Sequence, residues 1–241
     1  MTNPIFKPIK QEKLSVKIAN QIKTLIVDGE LMPGDPLPPE RELMGMLSVS
    51  RPSIREALKS LVGMGFLEIS QGNRTVVKSL VSGKITEPLH QLIKDDITFI
   101  FQLLEVRKVI EAWNAYYAAK RATRADIRHL EACIASMKKK LAEDGSTLGR
   151  EDADFHLAIS EATHNKVQTH IMFTIYDILK NSIGQYYENF DHNKIYQQHL
   201  EVVDAIKDKN SETARLKILE HLDYVEARVK RAVNTAGNTV N

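Results

Sequence analysis

The chain has 241 residues, of which 33 are Lys or Arg, 31 are Asp or Glu and one is Cys. At about 150 residues per domain, this length predicts one large domain or two small ones. A single Cys excludes a disulfide framework and a thiolate-rich metal cluster. No apolar stretch approaches the ~20 residues of a membrane-spanning helix, and the N-terminal segment lacks an apolar signal core. With Cys133 as a reduced thiol, these features predict a cytoplasmic protein without a membrane partner.

Proline and glycine divide the sequence into two parts. Four prolines lie between residues 28 and 39, and none occurs after Pro88. The later stretch, in which apolar residues recur at three- and four-residue spacing, is typical of a helical bundle. Four segments are predicted: an N-terminal domain over 1–78, a linker over 79–88, an all-helical domain over 89–233, and a flexible tail over 234–241.

The first 78 residues predict three helices and a β-hairpin. A helical apolar pattern from Leu14 to Ile26 predicts the first helix, and Glu40 to Leu47 forms a short second one. Ser50 is placed to cap a third helix, with Pro52 in its first turn, where a missing N–H costs little. The hairpin strands are predicted at 66–69 and 75–77. Two helices joined by a tight turn and followed by a hairpin predict a winged helix-turn-helix.

The second part is predicted to consist of helices alone. Thr123 and Asp126 form a capping-box signal at one helix start. Helices are predicted near 89–94, 97–122, 124–143, 149–163, 166–189, 193–208 and 211–233. The predicted fold class is therefore mainly α: an N-terminal winged helix-turn-helix of three helices plus a β-hairpin, followed by an all-α antiparallel helical bundle.

Basic and small polar residues gather at the start of the third helix, the end that enters the major groove in helix-turn-helix proteins. Arg there can chelate guanine O6 and N7, and Ser can hold phosphates. Arg at the hairpin tip can reach a narrow minor groove. The alternative is an ordinary solvated helix face. The candidate contacts to double-stranded DNA are Arg41, Ser50, Arg51, Pro52, Ser53, Arg55, Gln71, Gly72, Asn73 and Arg74.

Three histidines and one aspartate are predicted to point into the bundle. Asp152 and His156 lie four residues apart on one helix face, and His199 and His221 share apolar stripes of two later helices. Ionisable groups are costly to bury unless they are paired or bind a metal. This donor set suits Zn²⁺ first, with Ni²⁺, Mn²⁺ or Fe²⁺ as options; alternatively, each His is a hydrogen-bonded core residue. The remaining histidines are interpreted as surface or incidental residues: His90, His129, His164, His170 and His192.

Arg107 lies on an apolar stripe of the helix predicted at 97–122, with Glu111 one turn later. A guanidinium that points into a bundle can chelate the carboxylate of a ligand. The alternative is an internal pair between Arg107 and Glu111 without any ligand. Both interpretations stay open at this point.

The stretch LPPERELMGMLSVSRPSIREALKSLVGMGFL, from Leu37 to Leu67, resembles the DNA-binding domain of the gluconate-repressor (GntR) superfamily. It matches the family pattern LPPERELA…VSRPSLREAL…L…GL almost residue by residue. The family's wing reads Gly-x-Gly-Thr-x-Val, whereas Arg74 replaces the second glycine here and becomes a candidate extra groove contact. In the FadR branch of the family, operator contacts come from the positions equivalent to Arg41, Ser50, Arg51, Ser53 and Arg55.

Residues 97–228 resemble the metal-binding, FCD-type C-terminal domain of the FadR branch. Segment 105–119 is similar to its E-x-R-x-x-E…AA opening, segment 152–156 matches its D-x-x-F-H motif, and two later histidines match as well. The resemblance implies that Asp152, His156, His199 and His221 hold a divalent ion completed by a small carboxylate effector. It argues against an acyl-CoA effector. Asn165 matches a family position that either contacts the effector or caps the next helix; Arg107 and Glu111 are the other effector candidates.

The resemblance implies a bacterial transcription regulator and not an enzyme, with repression the favoured mode. A homodimer would bind a pseudo-palindromic operator and respond to a small organic acid of the lactate, pyruvate or glycolate class. The residues leave three alternatives: a metal-responsive regulator without an organic effector, a metal-dependent enzyme, and a purely structural metal. The enzyme lacks support because the chain has no His-Glu-x-x-His motif and no spare carboxylate beyond Glu111.

Overall fold

The computed structural model describes residues 12–70, 74–78, 86–96, 98–143, 148–183 and 190–237. The chain divides into two compact units, Met1–Leu80 and Val81–Asn241. Each unit has its own hydrophobic core. Within the described ranges, no helix is both long and apolar enough to cross a membrane.

The described part of the first unit contains three helices and a two-stranded antiparallel sheet, which confirms the predicted winged helix-turn-helix. Strand register pairs Leu67 with Val77 and Ser70 with Arg74. The elements are α1 (Leu14–Val27), α2 (Glu40–Leu47), α3 (Arg51–Gly63), β1 (Leu67–Ser70) and β2 (Arg74–Val77).

Packing of α1 against α3 holds the first unit together. The buried side chains recur at helical spacing, so one side of each helix faces the core and the other faces solvent. The turn between α2 and α3 passes through Ser48, whose φ of 53° lies in the left-handed region. The buried core residues include Ile18, Ile22, Ile26, Leu43, Ile54, Leu61, Leu67 and Val77. This arrangement leaves the N-terminal end of α3 exposed.

The described part of the second unit is all-helical, as predicted. Its helices are α4 (Thr86–Asp95), α5 (Phe99–Arg121), α6 (Arg124–Leu141), α7 (Gly149–Ala162), α8 (Lys166–Ile183), α9 (His192–Lys207) and α10 (Ser211–Gly237). The capping box at the start of α6 is confirmed: the Thr123 side chain accepts from the Asp126 amide, and the Asp126 carboxylate accepts from the Thr123 amide. The long helix α5 packs most extensively against α10, and also against α7, α8 and α9.

Two predicted boundaries in the second unit are wrong. Helix α4 begins at Thr86, inside the predicted linker 79–88, because Pro88 occupies the first turn, where its missing N–H breaks no hydrogen bond. Helix α10 continues to Gly237, four residues into the predicted tail, because a polar composition does not by itself end a helix. The rest of the tail lies outside the described residues.

The core of the second unit encloses polar and charged side chains as well as apolar ones. Apolar residues such as Leu130, Phe155 and Ile195 are completely buried. His170, interpreted from the sequence as a surface or incidental residue, is only 4% exposed, and burial lowers its pKa. The buried polar and charged residues of this unit are Arg107, Glu111, Asn114, Asp152, His156, Ser160, Thr163, Thr169, His170, Thr174, His199 and His221.

Candidate functional site

Three helices bring the four predicted metal ligands together in the second unit. Helix α7 supplies Asp152 and His156 from one face, α9 supplies His199, and α10 supplies His221. All four are at most 1% exposed. One donor atom from each lies within 4.8 Å of the donors of the others. The helical spacing of Asp152 and His156 aligns their side chains, whereas the meeting with α9 and α10 depends on the packing of the bundle.

The distances within this cluster match the spacing of ligands around one metal ion. Nε2 of His221 lies 3.2 Å from Nε2 of His156 and 3.3 Å from Nε2 of His199. Oδ1 of Asp152 lies 3.4 Å from Nε2 of His199 and 3.7 Å from Nε2 of the other two. Two ligand atoms ~2.1 Å from one ion are separated by about 3.0 Å at right angles and by about 3.4 Å at tetrahedral angles. The donors therefore fit a first-row divalent ion.

The protonation states of Asp152, His199 and His221 favour metal binding at neutral pH. Burial lowers the pKa of His199 to about 3 and the pKa of His221 well below its ordinary value, so both imidazoles are neutral. Burial raises the pKa of Asp152, but the charge and the hydrogen bond of His156 outweigh it and hold that pKa well below the usual range. Neutral imidazole and ionised carboxylate are the forms that coordinate metals.

The outer nitrogens of the three imidazoles each meet a second group. Nδ1 of His156 contacts the Glu111 carboxylate, which outweighs burial and raises the pKa of His156. Nδ1 of His221 lies 3.4 Å from Oε1 of Gln198, and Nδ1 of His199 lies 3.2 Å from the sulfur of Met137. Such partners fix ring orientation and ligand basicity in metal sites. Here they direct all three Nε2 atoms toward one point.

Arg107 and Glu111 form the internal pair that the sequence left as one of two possibilities. The fully buried guanidinium of Arg107 donates from Nε to the Glu111 carboxylate and from Nη2 to the hydroxyl of Tyr176. Its Nη2 also lies 3.8 Å from Oδ2 of Asp152. Arg107 thus places a buried cation beside the candidate metal ligands. Glu111 faces Arg107 and His156.

Two residues of this region were missed by the sequence reasoning. Tyr176 on α8 contacts Arg107, and its ring stacks against His156 at 5.6 Å between centroids. Asn114 on α5 is 1% exposed, and within the described ranges neither atom of its side-chain amide has a hydrogen-bond partner. Asn114 lies three residues after Glu111 and seven after Arg107, a spacing that signals a shared helix side.

Asn165, the third candidate effector contact, caps a helix. Its Oδ1 accepts from the backbone amides of Val167 at 3.1 Å and Gln168 at 3.3 Å at the start of α8. This geometry matches the capping alternative. Its side chain forms none of the contacts described for the metal cluster.

In the first unit, five of the ten candidate DNA contacts lie at the N-terminal end of α3, and Arg41 lies on α2. Arg41, Arg51, Pro52 and Arg55 are exposed, and Ser53 is half-buried. Ser50 occupies the N-cap position, but the predicted capping bond is absent. Its hydroxyl instead lies 3.0 Å from the hydroxyl of Ser53, so the side chain does not reach the amides of the first turn.

Glu40, at the start of α2, contacts both arginines of α3. Its Oε2 lies 2.8 Å from Nε of Arg51, and its Oε1 lies 3.0 Å from Nε of Arg55. The predicted wing-tip contacts Gln71, Gly72 and Asn73 lie outside the described residues. Arg74 is exposed at the first position of β2.

The fold and the cluster define a class of protein: a winged helix-turn-helix joined to a helical domain with a buried His/Asp set that could hold a metal. Two family models cover these parts. "Bacterial regulatory proteins, gntR family" matches residues 14–77, and "FCD domain" matches residues 102–224. The chain belongs to the GntR family of bacterial regulatory proteins and carries an FCD domain. Its relatives are transcription regulators and not enzymes.

Several named relatives match most of the chain. A protein of Escherichia coli (strain K12), assigned by its name to regulation of the L-lactate dehydrogenase operon, is 35% identical over 228 residues, covering 91% of this chain and 87% of that protein. LutR of Bacillus subtilis (strain 168), an HTH-type transcriptional regulator, is 31% identical, covering 84% and 94%. The repressor NanR of Cronobacter sakazakii is 31% identical, covering 92% and 87%.

A solved structure supports the same fold. The GntR protein of Streptococcus agalactiae matches with a TM-score of 0.54 and 26% identity. The match covers 88% of this chain and 99% of that one.

Proposed function

We propose that this protein is a transcriptional repressor whose operator affinity is set by a small carboxylate effector at a divalent-metal site. The observation that carries the proposal is the convergence of Asp152, His156, His199 and His221 on one buried point beside Arg107. A buried site that combines metal-type donors with a cationic guanidinium suits a small anion. Zn²⁺ is the favoured ion, with Ni²⁺, Mn²⁺ or Fe²⁺ as options.

An ion with five or six ligands would keep one or two coordination positions open to a carboxylate beside the four protein donors. A bound ion supplies a Lewis-acidic positive charge that attracts a carboxylate or hydroxyl oxygen. Arg107 would add a second cation, and its pairing with Glu111 and Tyr176 holds the guanidinium in one orientation. Asn165 is proposed to act as the helix cap rather than as an effector contact.

The names of the relatives favour a hydroxy or keto acid. One relative is assigned to a lactate dehydrogenase operon, so lactate, pyruvate and glycolate are the first acids to test. NanR gives weaker support for the choice of effector, because it matches a similar length of chain at a lower sequence identity.

The proposed DNA interface is the exposed end of α3 with the wing. Arg51 and Arg55 would read guanine edges in the major groove, with Arg41, Ser50, Pro52 and Ser53 around them. Arg74 would reach the adjacent minor groove with Gln71, Gly72 and Asn73. A homodimer would place two such helices about 34 Å apart on a pseudo-palindromic operator.

A metal-responsive regulator without organic effector is the second candidate. The observation that favours it is the pairing of Arg107 with groups of the protein itself, which satisfies the cation without any ligand. In that case metal alone would change operator affinity, and carboxylates would have no effect.

Thermal unfolding of metal-loaded protein against a panel of hydroxy, keto and dicarboxylic acids tests the proposal. An acid at a hundred times its Kd adds about 2.7 kcal/mol of stability. We expect one acid to raise Tm in the metal-loaded wild type, and neither chelator-treated protein nor His199→Ala to respond. His129→Ala, an exposed histidine, is the control and should respond like the wild type. A chelator effect without any acid effect would favour the metal-responsive alternative.

A further inference from the structure

We infer that Glu40 is a positioning residue for operator recognition, which holds Arg51 and Arg55 by their Nε edges so that both guanidinium ends face the DNA. The inference rests on the proposed role of the two arginines as groove contacts. Glu40 adds a negatively charged residue to a set of candidate DNA contacts whose charged members are all arginines.

The geometry of the three side chains is specific. Arg51 and Arg55 lie one turn apart on α3, and each donates from Nε to the same carboxylate, at 2.8 Å and 3.0 Å. Glu40 stands on α2, 11 and 15 residues earlier in the chain, so the contacts also connect the two helices of the helix-turn-helix. The hydrogen bond from Arg51 is the main cause of a lowered pKa of Glu40, and the carboxylate is therefore ionised at neutral pH.

The chemistry of the guanidinium gives this contact a consequence for base reading. Arg carries five N–H donors in a rigid planar fork. With the Nε edge bound to Glu40, the Nη1 and Nη2 donors remain at the outer end of each side chain. Those donors can span the O6 and N7 acceptors of guanine. Arginines that are already ordered lose less rotamer freedom on binding.

The negative charge of Glu40 has a second consequence. Attraction to phosphates is independent of sequence and supplies nearly all of non-specific binding. One carboxylate between two arginines offsets part of their charge, which weakens that attraction, while the orientation of the donors favours the correct bases. Both effects raise the ratio of operator to non-operator affinity.

Helix α2 offers a matched control for charge. Glu42 lies two residues after Glu40 and is exposed, and among the described residues its side chain forms no hydrogen bond or ion pair. Glu42→Gln therefore removes the same charge from the same helix without touching the arginines. Glu40→Asp keeps the charge but shortens the side chain by one methylene, so one carboxylate no longer reaches both Nε atoms.

Fluorescence anisotropy of the full-length protein provides the test. The operator duplex is first selected from a random duplex pool with wild-type protein, and a shuffled duplex serves as non-operator DNA. Affinities are measured at several salt concentrations for wild type, Glu40→Gln, Glu40→Asp and Glu42→Gln, after circular dichroism has shown that each variant is folded. Arg51→Ala is measured alongside.

We expect Glu40→Gln to lower the operator to non-operator ratio about tenfold, within the discrimination that a bidentate base contact provides. Its binding to the shuffled duplex should tighten, and the salt slope should steepen by up to about 0.9, the value for one additional phosphate contact. Glu40→Asp should lower the ratio with little change in slope. Glu42→Gln should keep the wild-type ratio.

Two results would overturn the inference. The first is an equal ratio in Glu40→Gln and Glu42→Gln, which would leave only a general charge effect. The second is tighter operator binding in Glu40→Gln at an unchanged ratio, which would show that Glu40 restrains the arginines. In either case, loss of operator preference in Arg51→Ala would leave the proposed function standing. Full preference in Arg51→Ala would instead refute the proposed DNA contact itself.

Discussion

The orientation of each imidazole ring decides what the buried cluster can bind. Glu111, Gln198 and Met137 each meet the outer nitrogen of one ligand histidine, so every Nε2 is left to face the cluster. Of these three partners, only the carboxylate of Glu111 carries a charge. It also receives the Nε–H of Arg107. Glu111 therefore connects the proposed metal site to the cation beside it.

Replacement of Glu111 by Gln should weaken metal binding about 10–100-fold, the usual cost of losing an outer partner of a ligand histidine. The neutral amide would no longer stabilise the orientation of His156 or balance Arg107. Competition with a chromogenic chelator measures the affinity. Glu105→Gln, an exposed position on the same helix, should bind as the wild type does. Wild-type affinity in Glu111→Gln would contradict this role.

Sequence reasoning placed the four candidate ligands correctly on helix faces, but it could not find their partners. The spacing of Asp152 and His156 reports a shared face. The contact between Arg107 and Tyr176 joins positions 69 residues apart, and no periodicity encodes such a pair. Ser50 shows that a short-range contact can escape prediction as well. Its position at the helix start was predictable, but its side-chain rotamer was not. The prediction of a capping hydrogen bond from the Ser50 side chain is therefore wrong.

The residue at which a helix begins or ends depends mainly on its neighbours in the sequence, whereas the contacts between helices depend on distant residues. The capping box at Thr123 was predictable because both of its partners lie within four residues. The start of α4 was not, because proline is compatible both with the first turn of a helix and with the linker before it. The position of Asn165 also follows from local chemistry. It lies just before α8, and its side chain accepts hydrogen bonds from the amides of the first turn.

Asn165→Ala should lower the free energy of unfolding by about 1 kcal/mol, the typical cost of losing an N-cap side chain. Since the residue is proposed to act through the helix alone, effector affinity should stay at the wild-type value. Urea denaturation and ligand titration measure the two quantities. A large loss of effector affinity at unchanged stability would assign Asn165 to the effector instead.

The capping box at α6 predicts a specific pH dependence. Partial burial raises the pKa of Asp126, but hydrogen bonds from Thr123 and the contact with His164 outweigh it, so the pKa is lowered. The carboxylate therefore stabilises the fold above its ordinary pKa of about 4, and this contribution is lost as pH falls through the lowered value. Urea denaturation in chelator should show a stability advantage of wild type over Asp126→Asn at pH 6 that shrinks toward pH 3. A constant difference would contradict this account.

At the scale of the whole molecule, the described parts form a winged helix-turn-helix unit and an all-helical unit, each with a separate core. The number and type of elements in each were predictable from apolar periodicity and from the positions of proline. Recognition by a dimer was predicted from the family resemblance, and the sequence alone did not indicate which surface would be used. On α5, one exposed side carries Val106, Val109 and Trp113, which are 49%, 62% and 47% exposed. Three apolar side chains at this spacing form a continuous patch.

If a second copy of the chain covers this patch, Val109→Glu should shift the protein from dimer toward monomer. Burial of a carboxylate in an apolar contact is unfavourable, and two symmetric copies of the change would face each other. Sedimentation velocity measures the shift. Leu216→Glu, at a 50% exposed position on α10, is the control and should remain dimeric. A dimer of unchanged stability in Val109→Glu would place the interface elsewhere.

The coupling between the metal site and the operator is the central claim, and one titration tests it most directly. Operator affinity is measured with and without the acid that stabilises the protein, in metal-loaded and chelator-treated samples. Allosteric coupling typically changes affinity by 5–150-fold. The account predicts a change of about this size in metal-loaded protein alone, with no response in His199→Ala. An operator affinity that is indifferent to the bound acid, or that responds equally without metal, would contradict it.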